Sequence, residues 1–345
     1  MIIIIKIVIP LEFTERLFEG LSHDHQLHLA LSNPVYAHVF ANYCKQKYTT
    51  LDLDKFEHEA QYLSHIIPIC GSSVEEITGD SCRYSNLELI QQHCTNVKSI
   101  TLAVGNLSHY TFVQNMKSIT TLNLFLHYDD PAIYDVLQEL PLLTALLLTP
   151  FSETYIDKIL RLVDLEMLCL GYGKKECPLN IIQICNTFKK LSFLVIQTGE
   201  ITGGTLIQTH SYSTLRMVSL SADKVAHLPS FPKAIFLSIG GDSFRAKYDW
   251  NSWIMKHANT VLALEIGTTK NAIVAIESCK ALRALKVLIW SAEASEGYLS
   301  SLLEVARRKG CSLELVVNCL LGYLTVSKVL KDTPNTDFAW VTMTC

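Results

Sequence analysis

The sequence of 345 residues predicts an α/β solenoid, with parallel strands on a concave face and helices on a convex one, behind a small all-α segment. Three observations predict it. A short apolar phrase recurs along most of the chain, stretches of helical character separate its copies, and the first forty or so residues carry a different, purely helical periodicity.

The phrase is apolar, two residues, apolar, two residues, apolar, one residue, apolar. It fits CTNVKSITL, MKSITTLNL, LPLLTALLL, LVDLEMLCL, FKKLSFLVI, YSTLRMVSL, FPKAIFLSI, ANTVLALEI and CKALRALKV. Aligned with Ile100 are Leu122, Leu146, Leu168, Leu194, Val218, Leu237, Leu264 and Leu285, at spacings of 19 to 27 residues. A mean near 23 falls in the range of leucine-rich repeats. Ile77 in EITGD and Leu51 in TTLDL extend the register backward, and GCSLELVV closes it. The last two apolar positions lie two apart, as inward residues of a short strand do.

Between the phrases lie DPAIYDVLQEL, SETYIDKILRLV, PLNIIQICNTFKK, WNSWIMKHA and EGYLSSLLEVARRKG, with Asp130 and Ser152 as expected helix caps. A strand and a helix bury little alone, but stacked copies bury a continuous core. The repeats are degenerate. Where leucine-rich repeats usually carry Asn or Cys, this chain has Gly105, His127, Phe151, Gly173, Gly199, Asp223, Asp242, Thr269 and Trp290. The competing architecture is a doubly wound α/β domain, which also alternates strand and helix.

No phrase fits residues 9–40. EFTERLFEGL places Phe13, Leu17, Phe18 and Leu21 on one helical face, and DHQLHLALSN does so with Leu27, Ala30 and Leu31. This segment resembles an F-box: Pro10-Leu11-Glu12, then Leu17-Phe18, Leu21, the polar turn Ser22-His23-Asp24, and a second helix with Leu27, Leu29 and Ala30. The tryptophan usual near the end of that motif is absent, with Tyr36 or Phe40 in its place. The resemblance, with repeats directly behind it, implies a substrate receptor of a ubiquitin ligase. Pro10, Leu11, Leu17, Phe18, Leu21, Leu27 and Ala30 would then bind a Skp-type adaptor and, through it, a cullin.

The organisation expected is an apolar lead-in over 1–8, the helical segment over 9–48, the solenoid over 49–325 and a tail over 326–345. MIIIIKIVIP is interrupted by Lys6 and closed by Pro10, too short to span a membrane and without the layout of a signal peptide. Apolar content of 49% with 18% charged residues suits a folded chain with a large core. Net charge of −4 and a pI near 6.3, with no basic stripe, argue against nucleic acid. The 11 cysteines lie singly at apolar positions such as Cys169, Cys185 and Cys279, with no CxxC pair, which fits reduced thiols in cytoplasm or nucleus.

No catalytic constellation, metal site or cofactor is expected. His23, Asp24, His25 and His28 read as a solvated turn, GYGKKE lacks the residues of a phosphate loop, and SIGGDS and TGGT read as turns. The residues flanking the inward positions should face the open side. Among them Met167, Phe193, Met217 and Phe236 should stack as one apolar column and bind substrate, unless the tail with Phe338 and Trp340 folds over it. An interaction scaffold or inhibitor without a ligase is the alternative, and an α/β enzyme a third reading.

Overall fold

A computed structural model describes residues 11–80, 86–128, 130–171, 178–203, 212, 214–240, 250–267, 272–289, 295–317 and 320–343. The lead-in over 1–8, Pro10, GYGKKE beyond Gly171, and the ends of TGGT and SIGGDS lie outside the described residues. The chain divides into two compact units, Met1–Leu143 and Thr144–Cys345.

The first unit opens with three helices, α1 (Leu11–Gly20), α2 (His23–Ser32) and α3 (Pro34–Lys47). Asn33 caps α3 by accepting from the Val35 N–H at 2.8 Å, with Pro34 at the first helical position. Four coils follow: β1 (Thr50–Asp52) and α4 (Ala60–Cys70), β2 (Glu76–Gly79) and α5 (Leu87–His93), β3 (Ser99–Val104) and α6 (Leu107–Asn115), β4 (Thr121–Leu126) and α7 (Pro131–Gln138). Asp130 caps α7 as expected, accepting from the Ala132 N–H at 2.9 Å.

The second unit continues the pattern with β5 (Ala145–Thr149) and the short α8 (Ile156–Ile159). Ser152 stands before the first turn without capping it and bonds the Thr154 hydroxyl at 2.7 Å. Then come β6 (Met167–Leu170), β7 (Leu179–Asn180), α9 (Ile181–Thr187), β8 (Phe193–Thr202), β9 (Met217–Ala226) and β10 (Phe236–Gly240). After these lie α10 (Trp250–Met255), β11 (Ala263–Ile266), α11 (Ala272–Ser278), β12 (Ala284–Ile289), α12 (Glu296–Lys309) and β13 (Ser312–Val317).

The stretch expected as a C-terminal tail is instead a further coil, α13 (Leu320–Asp332) and β14 (Ala339–Met343). β14 pairs parallel with β13, Leu313 opposite Ala339 and Val317 opposite Met343.

Within each unit strands pair in parallel in chain order, except that β6 pairs with β8, and the short β7 lies off this path and pairs with the far end of β8. A doubly wound sheet would reverse its strand order, so this topology is that of a leucine-rich-repeat solenoid. The register is the one the phrase predicts. Leu51, Ile77, Ile100 and Leu122 are partners in the first unit. In the second, Leu146, Leu168, Leu194, Val218, Leu237, Leu264, Leu285 and Leu313 are. Of the apolar positions in the nine phrases, Leu162 is half-buried and the rest are buried. Each buried Leu or Ile stabilises the fold by about 1.5–3 kcal/mol relative to exposure.

Without an asparagine ladder, the coils are joined by a repeated backbone fork. One carbonyl accepts the two N–H groups that open the next strand: Glu75 O from Lys98 and Ser99, Glu166 O from Ser192 and Phe193, Ile235 O from Leu262 and Ala263. The fork uses main chain alone and so does not depend on side-chain identity. Exposed pairs such as Lys98–Glu75 at 3.2 Å and Lys190–Asp164 at 2.7 Å also cross between coils, each contributing no more than about 1 kcal/mol.

In the second unit an aromatic knot fills the helix layer behind β10. His257 lies 1% exposed, stacked on Phe231 and tilted against Trp253. Its Nε2 accepts from the Phe231 N–H at 2.9 Å and its Nδ1 donates to the Trp253 carbonyl at 2.9 Å. That pattern fixes a neutral imidazole, and burial pulls its pKa down to about 4.

Candidate protein-recognition site

Strand alternation sends two rows of side chains per strand to the uncovered side of the sheet. In the first unit those rows are polar: Thr50, Glu76, Ser99 and Thr121, then Asp52, Thr78, Thr101 and Asn123. Asn123 donates to the Thr101 hydroxyl at 3.0 Å.

The second unit differs. The register brings Met167 opposite Phe193, Phe193 opposite Met217, and Met217 opposite Phe236, so the four form one column over β6, β8, β9 and β10. All four are half-buried. The neighbouring row reads Leu147, Cys169, Val195, Ser219 and Ser238. Beyond β10 the face changes, with small Ala263, Ala284 and Ser312 in the first row and Glu265, Lys286 and Glu314 in the second. Lys286 Nζ lies 3.6 Å from Glu265 Oε1. The segment with Phe338 and Trp340 does not lie over the column. Trp340 stands opposite Glu314 at β14, with β11, β12 and β13 between, and is 48% exposed.

In the helical segment the expected adaptor residues separate. Leu11 opens α1; Leu21 and Leu27 are half-buried, and Leu17 is 39% exposed. Phe18 and Ala30, expected on a docking surface, are interior. Phe18 is fully buried, its ring 5.1 Å from Phe40 and 5.7 Å from Tyr43, and Ala30 is 5% exposed. The reason is geometric: three short helices exclude water by packing bulky apolar side chains together, and Phe18 packs from α1 against Phe40 and Tyr43 of α3. Leu31 and Val35, at 76% and 63%, are the more exposed apolar side chains. Val35 went unnoticed in the sequence because it follows a proline outside any periodic run.

A buried polar hub ties these helices to the first coil. Gln26 donates to the Phe18 and Leu21 carbonyls at 2.7 and 2.9 Å and accepts from Tyr62 Oη at 2.7 Å. Tyr62 Oη lies 3.2 Å from Tyr48 Oη, and desolvation raises both phenols. His23 stacks on Tyr62 with centroids 4.1 Å apart and bonds Glu59, while His25 bonds the Ser22 hydroxyl at 2.7 Å. Those histidines are thus engaged within the fold, and no group of three metal-ligating side chains gathers among the described residues. The described cysteines are buried thiols, and desolvation pushes Cys185 up to about 12 and Cys169 up to about 11. None has the lowered pKa of a reactive thiolate. No helix among the described residues is long and apolar enough to cross a membrane.

No protein-family model matches the chain, and no characterised protein sequence is significantly similar to it. Among solved structures it is similar to a crystal structure of an internalin, InlF, from Listeria monocytogenes. Identity is 12% over 79% of this chain and 92% of that one, with a TM-score of 0.36. A likeness that loose adds nothing to the repeat fold, which rests on the strand register.

Proposed function

We propose that the chain is a non-catalytic recognition subunit. Its N-terminal helices dock on a Skp-type adaptor of a cullin ubiquitin ligase, and the sheet face of the second unit holds a protein substrate. The observation that carries the reading is the column Met167, Phe193, Met217 and Phe236, half-buried and in register on four adjacent strands. Met and aromatic side chains are enriched at the cores of protein interfaces. Catalysis would be by proximity: holding a substrate lysine near a charged conjugating enzyme raises its effective concentration, with no chemistry on this chain. Burial of the described thiols supports a reducing compartment, cytoplasm or nucleus.

A second reading, an interaction scaffold without a ligase, is favoured by one observation: two of the seven adaptor positions, Phe18 and Ala30, are interior. The test is co-expression with a Skp-type adaptor and size exclusion of the product. The ligase reading expects a one-to-one complex with the unaltered chain, and loss of that complex in Leu17→Glu/Leu31→Glu with an unchanged melting temperature. An unaltered chain that elutes free of the adaptor overturns the ligase and leaves the scaffold.

A further inference from the structure

Resting on the recognition role of the second unit's sheet face, we infer that its occupant is an amphipathic α-helix lying across the strands, with a basic residue one turn past its apolar stripe. The argument begins with what the face lacks. β6, β8, β9 and β10 are interior strands, each paired on both sides. No backbone edge is open there, so a partner cannot add a strand and must be read by side chains alone.

The spacing of those side chains then selects the partner's backbone. Met167, Phe193, Met217 and Phe236 come from successive paired strands. Adjacent strands lie about 4.8 Å apart, so the column spans about 14 Å. On an α-helix, contacts at alternating steps of three and four residues recur about every 5.2 Å along the axis. Four such contacts, at i, i+4, i+7 and i+11, need about twelve residues and drift from the column by about 2 Å over its length, within the reach of Met rotamers. An extended chain crossing the strands presents same-face side chains about every 6.7 Å and drifts by about 6 Å, losing the column after two contacts.

The polar end fixes where charge must fall. One strand beyond Phe236 the column shrinks to Ala263, and the adjacent row becomes Glu265, Lys286 and Glu314. Two carboxylates against one ammonium leave that end net negative, and the small first-row residues leave room for a long side chain above it. A Lys or Arg three or four residues past the last apolar contact falls over Glu265.

Two display libraries of about 16 residues each, one on a helical scaffold and one in an extended, proline-punctuated frame, should be selected on the full chain in parallel. The expected result is binders from the helical library with apolar residues at i, i+4, i+7 and i+11 and a basic residue beyond. They should lose at least tenfold in affinity to Phe193→Glu/Met217→Glu and a few-fold to Glu265→Lys. If column-dependent binders come from the extended library alone, the helix is wrong while recognition by the face stands. If neither library yields a binder sensitive to Phe193→Glu/Met217→Glu, both the helix and the recognition face fail.

Discussion

Acid should loosen the second unit through one imidazole. His257 is neutral and 1% exposed, held by the Phe231 N–H and the Trp253 carbonyl. Its pKa falls from 6.5 to about 4 on folding. Below pH 6.5 the unfolded chain takes up a proton that the folded one refuses. Stability is therefore complete above about pH 6.5 and is lost progressively as pH falls toward 4. At 1.36 kcal/mol per pH unit the full loss is about 3 kcal/mol. The lowered His109 of the first unit adds a loss of the same sign, so the measurement must be a difference. Urea midpoints of the unaltered chain and of His257→Gln, followed by tryptophan fluorescence because Trp250 and Trp253 sit in the knot, should be compared from pH 7.5 to 4.5. The variant starts less stable but should have the shallower pH dependence, the two curves converging by 2–3 kcal/mol. Parallel curves would refute the assignment of a buried, neutral His257.

The register predicts that Leu146→Asp, at a fully buried position, costs several kcal/mol, while Thr121→Asp on an open sheet face stays within about 0.5 kcal/mol. Equal thermal shifts would contradict the inward assignment. In the helices, Phe18→Ala should destabilise by about 3–5 kcal/mol because it empties the space against Phe40 and Tyr43, whereas Leu17→Ala should cost under about 1 kcal/mol. Helical amide exchange distinguishes them, and similar protection in both would contradict the interior place of Phe18. A Cβ at Gly203, just past β8, would run into the His227 carbonyl, so Gly203→Ala must displace backbone and should lower the urea midpoint by more than a conservative exchange on β8; an unchanged midpoint would refute that close approach.

The repeat was legible because a strand buried on one side imposes a period of two, and stacking imposes it again every coil. Ile77 and Leu285 could be aligned without any knowledge of the turns between them. The column was legible for the same reason, since parallel register turns a one-residue offset into a row. Length along the strand was not. β8 and β9 each run for 10 residues, past the usual turn, because their later residues also pair, Glu200 with Lys224 and Thr202 with Ala226. The final coil was missed because Thr333 and Thr336 stand where the phrase calls for apolar residues. Gln26 carried no local signal, its partner Tyr62 being 36 residues away. Phe18 was misread because an amphipathic face in isolation looks the same whether it meets its own fold or a partner.

The central claim is that two separable surfaces serve two partners, and one measurement tests it most directly. Tagged unaltered chain, Leu17→Glu/Leu31→Glu and Phe193→Glu/Met217→Glu should be recovered from proteasome-inhibited cells, with adaptor and ubiquitinated partners quantified and melting temperatures matched. The account predicts that Phe193→Glu/Met217→Glu keeps the adaptor and loses the ubiquitinated partners, while Leu17→Glu/Leu31→Glu loses the adaptor. Folded variants that both retain every partner of the unaltered chain would contradict it.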